Sequence, residues 1–206
     1  MRTKTFPAIL FIVALSLGML ACPKKSKVCI DFERPLVAGT EYGQPNPTQP
    51  PGTVVFTANG IPVSVQNFIF LDGREFFGSG SVVTQAPATS IGSGQKMQIG
   101  NINLEFDFSR FSSLGLPTSQ VQFTFLDMGG FENISVNGSQ VFVGELSTVP
   151  SQLGGVGVIV NSTALPSAPG NPASPGKKGT VTLTGAVNKL RIGGQEFWID
   201  NVCVKR

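Results

Sequence analysis

The stretch "NINLEFDF" (residues 101–108) alternates without a fault: Ile102, Leu104, Phe106 and Phe108 fall on one side, and Asn103, Glu105 and Asp107 on the other. A period of two is the signature of a half-buried strand and is incompatible with an amphipathic helix, whose apolar positions recur every three to four residues. "QVQFTFLD" (120–127) repeats the pattern, with Val121, Phe123 and Phe125 opposite Gln122 and Thr124. "ENISVNGSQVFV" (132–143) contains Asn137-Gly138, the strongest short hairpin signal, which favours a type I′ turn. Further β-forming runs ("TVVFT", "PVSVQNFIF", "GVGVIV", "GTVTLTG", "LRIGG", "EFWIDNVCV") sit between Gly, Pro and Asn, and no helical periodicity is sustained outside the N-terminal segment. Short strands between turn residues predict an all-β fold, an antiparallel β-sandwich formed as one domain over residues 28–206. The Pro-rich stretches 43–52 and 165–179 read as exposed loops of that domain.

The N-terminus is a different kind of sequence. Arg2 and Lys4 precede an uncharged apolar run from Phe6 to Ala21, the layout of a signal peptide over residues 1–21. The run is shorter than the roughly 20 residues that a membrane-spanning helix needs, which favours a cleaved signal over the alternative of a one-pass anchor. It closes in Met19-Leu20-Ala21-Cys22, which resembles the lipobox of bacterial lipoproteins. Ala21 and Cys22 match that pattern; Leu20 and Met19 depart from it. The resemblance implies a diacylglycerol on Cys22, anchoring to the bacterial envelope at the outer membrane or cell surface, and a basic tether over 22–27. Cleavage by the ordinary signal peptidase near Gly18 or Ala21, leaving a secreted protein, is the alternative. Lys24, Lys25 and Lys27 of the tether either meet anionic headgroups or are simply solvated. Beyond Lys27 ten basic residues face twelve acidic ones, so the net positive charge belongs to the leader and argues against a nucleic-acid partner.

The lipobox resemblance also bears on the three cysteines. If Cys22 carries lipid, Cys29 and Cys203 are left as one pair in an oxidising compartment. A Cys22–Cys29 bridge, which would orphan Cys203, is the alternative.

The terminal strands carry a second resemblance. "CIDFE" and "GTEYG" near the start and "GGQEFWIDNVCV" at the end look like the jelly-roll sandwiches of the galactose-binding-like group, which includes many carbohydrate-binding modules. The resemblance implies paired first and last strands. It also implies a structural Ca²⁺ held by Glu33, Asp200 and the loop around Thr40, with Gly39 and Glu41 beside it. Calcium takes six to eight oxygens, and two carboxylates brought together without a cation would repel; Arg34 offers a second way to neutralise them. The pairing can be checked by parity. Cys29, Asp31 and Glu33 share the face opposite Ile30 and Phe32, whereas strict alternation from Phe197 and Ile199 would turn Cys203 inward. A one-residue bulge at Asp200-Asn201 would send Val202 and Val204 inward and Cys203 toward Cys29.

Chemistry is sparse. The chain has no histidine, which excludes a Ser-His-Asp or Cys-His arrangement and a His-ligated zinc. Glu105 and Asp107, adjacent on one strand face, are the remaining carboxylate pair of the kind glycosidases use, or else the wet face of an amphipathic strand. Phe76-Phe77 breaks the alternation and is a candidate ligand platform, or a core residue at a bend. Trp198 and Tyr42 are the only other aromatics. The reading is a non-catalytic β-sandwich lipoprotein of the cell surface or periplasm, of carbohydrate-binding type. The alternative is an envelope lipoprotein with a structural or protein-interaction role, and a third reading is a glycoside hydrolase using Glu105 and Asp107.

Overall fold

The computed structural model describes residues 27–44, 46, 48–84, 91–165 and 176–206. The signal segment, Cys22, Lys24 and Lys25 lie outside the described residues, as does most of the Pro-rich stretch 165–179. The strands are β1 (Lys27–Ile30), β2 (Glu41–Gly43), β3 (Val54–Ala58), β4 (Ile61–Ile69), β5 (Glu75–Phe76), β6 (Ser79–Val83), β7 (Lys96–Gly100) and β8 (Ile102–Asp107). A single helical turn α1 (Ser109–Ser113) follows. Then come β9 (Gln120–Val136), β10 (Phe142–Gly144), β11 (Gln152–Leu153), β12 (Val156–Ala164), β13 (Lys177–Thr184) and β14 (Lys189–Lys205).

The antiparallel sandwich with paired terminal strands is the observed fold, built on two long strands that belong to both layers. The first half of β9 (120–127) pairs with β13 and with the second half of β14. The second half of β9 (132–136) pairs with β10 and with the first half of β14, which in turn pairs with β8. Register shifts at Gly194, Glu196 and Phe197, opposite Gly129, mark where the sheet turns over on itself. The runs "QVQFTFLD" and "ENISV" are therefore one strand, as are "LRIGG" and "EFWIDNVCV". Gly129-Gly130 (φ 147° and 89°) bends β9 without ending it, because glycine tolerates positive φ that other residues resist.

Alternating apolar residues of both layers fill one core. Val121, Phe123 and Phe125 of β9 meet Val63 and Val65 of β4, Leu104 and Phe106 of β8, and Phe197, Ile199, Val202 and Val204 of β14. Seven phenylalanines are almost wholly buried there, which accounts for much of the unusual Phe content. Asn137 and Gly138 both have positive φ, as a type I′ turn requires. The bulge near the C-terminus is present: Asn201 has φ 52° and the register jumps between Asp200 and Cys203. Val202 and Val204 are buried, and Cys203 stands opposite Cys29, to which it is disulfide-bonded. Among the described residues no helix is long and apolar enough to cross a membrane.

Candidate functional site

The most unusual chemistry lies at the crease of the sheet. Asp127 ends the inward-facing series Val121, Phe123, Phe125, and Glu132 opens the series Ile134, Val136, so both carboxyls point toward the core on either side of the Gly129-Gly130 bend. Glu145, just after β10, joins them: one oxygen from each of Asp127, Glu132 and Glu145 lies within 4.8 Å of the others. Three carboxylates so placed can hold a metal ion. Asp127 Oδ1 accepts the Gly129 N–H (2.9 Å), and Glu132 Oε2 accepts the Leu146 N–H (3.1 Å). Glu132 Oε1 is buried and has no hydrogen-bond donor. Lys177 Nζ, at the start of β13, sits 2.5 Å from Glu145 Oε2. Burial, reinforced by the neighbouring Asp127 charge, pushes the Glu132 carboxyl up to about 9, and burial raises Asp127 as well. At neutral pH Glu132 keeps its proton and can share it with Asp127.

At the terminal-strand corner the expected calcium ligands Glu33 and Asp200 both meet the loop 92–95. Glu33 Oε1 accepts the Gln95 N–H (2.6 Å), and the Gln95 side chain ties Glu33 Oε2, Phe32 O and Leu36 O together. Asp200, fully buried, accepts the Asn201 N–H (2.7 Å) on Oδ1 and the Asn201 amide (2.8 Å) on Oδ2. Burial pushes Asp200 up to about 6, against the pull of the Asn201 amide and the charge of Lys96. The chain 92–95 presses so closely that a Cβ at Gly92 would collide with Asp200 Oδ2, and one at Gly94 with Glu33 Oε1. The Thr40 carbonyl accepts the Val82 N–H (3.0 Å), an edge-strand bond. Both carboxylates thus meet backbone of one tight loop, and the cation acting on Asp200 is Lys96 rather than Arg34.

Glu105 and Asp107 do share a strand face. Glu105 Oε2 accepts Arg191 Nη2 (2.8 Å) and Nε (3.2 Å), and Lys189 Nζ lies 3.4 Å from Oε1, both cations coming from the adjacent strand β14. Asp107 Oδ1 accepts the Ser109 N–H (2.8 Å) in the turn that precedes α1. These are the contacts of a cross-strand ion pair and a turn.

Phe76 and Phe77 separate. Phe77 packs against the core, while Phe76, on the short strand β5, is 50% exposed. Its ring belongs to a chain of aromatics: Phe68 to Phe70 at 5.3 Å and Phe70 to Phe76 at 6.2 Å between centroids, with the Arg74 guanidinium 5.4 Å from the Phe70 ring. Asn67 Nδ2 donates to Glu75 Oε2 (2.6 Å) beside it. The hairpin is rooted by buried asparagines: Asn133 exchanges hydrogen bonds with the Ile69 backbone (2.7 and 2.8 Å), and Asn103 Nδ2 donates to Asn67 O (2.6 Å). Trp198 and Tyr42 are buried and offer no platform.

Comparison with protein-family models, with curated proteins and with solved structures returned no match. The acidic triad was missed at the sequence level although a signal was present: strand parity carries Asp127 and Glu132 onto the core face, where a charged residue needs a reason.

Proposed function

We propose that this chain is a non-catalytic, lipid-anchored module of a bacterial envelope that binds glycan at the Phe70–Phe77 hairpin. The observation that carries the reading is Phe76, an exposed aromatic ring held on a rigidly rooted hairpin beside Glu75, Asn67 and Arg74. Sugar rings present apolar C–H faces and a rim of hydroxyls, and a flat aromatic next to fixed donors and acceptors is complementary to both. Catalysis has little support: Glu105 is tied to Arg191 and Lys189. The reading does not depend on calcium at Glu33, Asp200 and Thr40, since loop amides serve Glu33 and Asn201 serves Asp200.

A glycan array probed with the exported form of the chain tests this. Retention of a bacterial or plant polysaccharide that Phe76→Ala abolishes is the expected result; no retention, or retention unaffected by Phe76→Ala, overturns it. A second reading, docking of an envelope protein on the same hairpin, is favoured by Leu71, 59% exposed at the hairpin turn. Crosslinking from a residue of that turn would distinguish the two. Intact mass before and after reduction reports the anchor: acyl chains on Cys22 are expected, and a mature N-terminus without lipid removes that part of the proposal.

A further inference from the structure

At the crease of the sheet one ammonium, that of Lys177, stands against three carboxyls. Two carboxyls, Asp127 and Glu132, are buried on one strand with an oxygen of each within 4.8 Å of the other. Glu132 is 0% exposed, and with its carboxyl ionised Oε1 is a buried acceptor without a donor. A buried acceptor left in that state is destabilising, more so when its neighbours are acceptors too. What the position lacks is a positive centre that several oxygens can face at once.

We infer that Asp127, Glu132 and Glu145 are the carboxylate ligands of a calcium-class divalent cation, and that the Lys177 ammonium is the built-in charge which that cation displaces. One oxygen from each carboxylate lies within 4.8 Å of the others, so modest side-chain adjustment brings them to the flexible coordination of about 2.3–2.6 Å that Ca²⁺ accepts, whereas Mg²⁺ needs about 2.1 Å and a near-ideal octahedron. The ligand set is all oxygen, which suits a hard ion and disfavours zinc. Lys177 contacts Glu145 alone among the three carboxylates by ion pair, and its side chain is 31% exposed. It can swing to solvent without unpairing β13, freeing the Glu145 oxygen. A cation at the crease would tie β9 to the segment after β10, bracing the bend on which both layers depend. The inference stands apart from the glycan reading, since it uses none of the residues of the Phe70–Phe77 hairpin.

The test is titration of chelator-stripped full chain with CaCl2 and, in parallel, MgCl2, following heat of binding and thermal midpoint. One Ca²⁺ per chain, a raised midpoint and weaker Mg²⁺ binding are expected. Glu132→Gln and Asp127→Asn should each weaken Ca²⁺ binding by about tenfold or more. Lys177→Gln keeps all three carboxylates and should bind Ca²⁺ more tightly, a gain that a purely structural salt bridge would not produce. If a core variant fails to fold, Glu145→Gln, at the more accessible ligand, reads the same loss. No binding at millimolar Ca²⁺ overturns the inference and leaves the triad sharing a proton. Binding that these carboxylate variants leave unchanged, or that Lys177→Gln weakens, overturns it equally by placing the ion elsewhere.

Discussion

Cys29 and Cys203 are register partners across β1 and β14, with Cα atoms 3.9 Å apart, and their disulfide closes a separation of 174 residues. A cross-link between neighbouring strands adds little to local pairing in the folded state. Its leverage is on the unfolded chain, where it joins two otherwise distant ends. In the chain-entropy model a loop of this length contributes about 5 kcal/mol, reduced by any native strain. Reduction, or the Cys29→Ser/Cys203→Ser double variant, should lower the urea midpoint by an amount equivalent to about 2–5 kcal/mol. An unchanged midpoint would show that the bridge constrains nothing.

The buried carboxyls set a direction for pH dependence in chelated protein. Glu132 rises from an ordinary 4.5 to about 9 in the fold, and Asp200 from 3.8 to about 6. The folded state therefore holds protons that the unfolded chain releases, and stability falls as pH rises through these windows. The contribution is complete below about pH 4 and is lost by about pH 6 for Asp200 and about pH 9 for Glu132. Thermal midpoints should decline from pH 5 to pH 8.5, and Glu132→Gln should flatten the upper part of that decline. A midpoint that climbs over the same range in wild type contradicts the assignment.

Gly130 should resist substitution. Its φ is 89°, and a Cβ there would lie 2.6 Å from the Gln195 Cβ across the crease. Gly130→Ala is expected to cost about 1–3 kcal/mol in chemical denaturation. A neutral result would mean that the bend is softer than its geometry implies.

Two phenylalanines should behave oppositely. Phe106, fully buried between the layers, should cost about 3–5 kcal/mol as Phe106→Ala, the usual toll of a large core cavity. Phe76→Ala, on the half-exposed hairpin, should stay within about 1 kcal/mol of wild type while removing ligand retention. Equal losses would place Phe76 in the core after all.

Much of this was legible in the order of residues. Alternation at 101–108 and 120–127 marks the core face of β8 and β9. The parity conflict between Cys29 and Cys203 called for a bulge at Asp200-Asn201, which the structure has. Less legible was the continuity of β9 and β14: a Gly-Gly pair between two strand patterns reads equally as a turn or as a bend. Phe76 and Phe77, adjacent and chemically identical, could not be ranked for exposure, because that depends on the hairpin's attachment through Asn133 and Asn103.

The sequence alone determined the period-two strands and the turn positions, since each follows from local sterics and from which faces must leave water; the pairing of first strand with last was what the jelly-roll resemblance implied. Tertiary structure alone decided that Asp127, Glu132, Glu145 and Lys177 converge, and that Glu105 spends its charge on Arg191 and Lys189. The meeting of groups far apart along a chain is set by how two bent strands fold one sheet over itself. That bend is a property of the whole packed body, and no window of residues contains it.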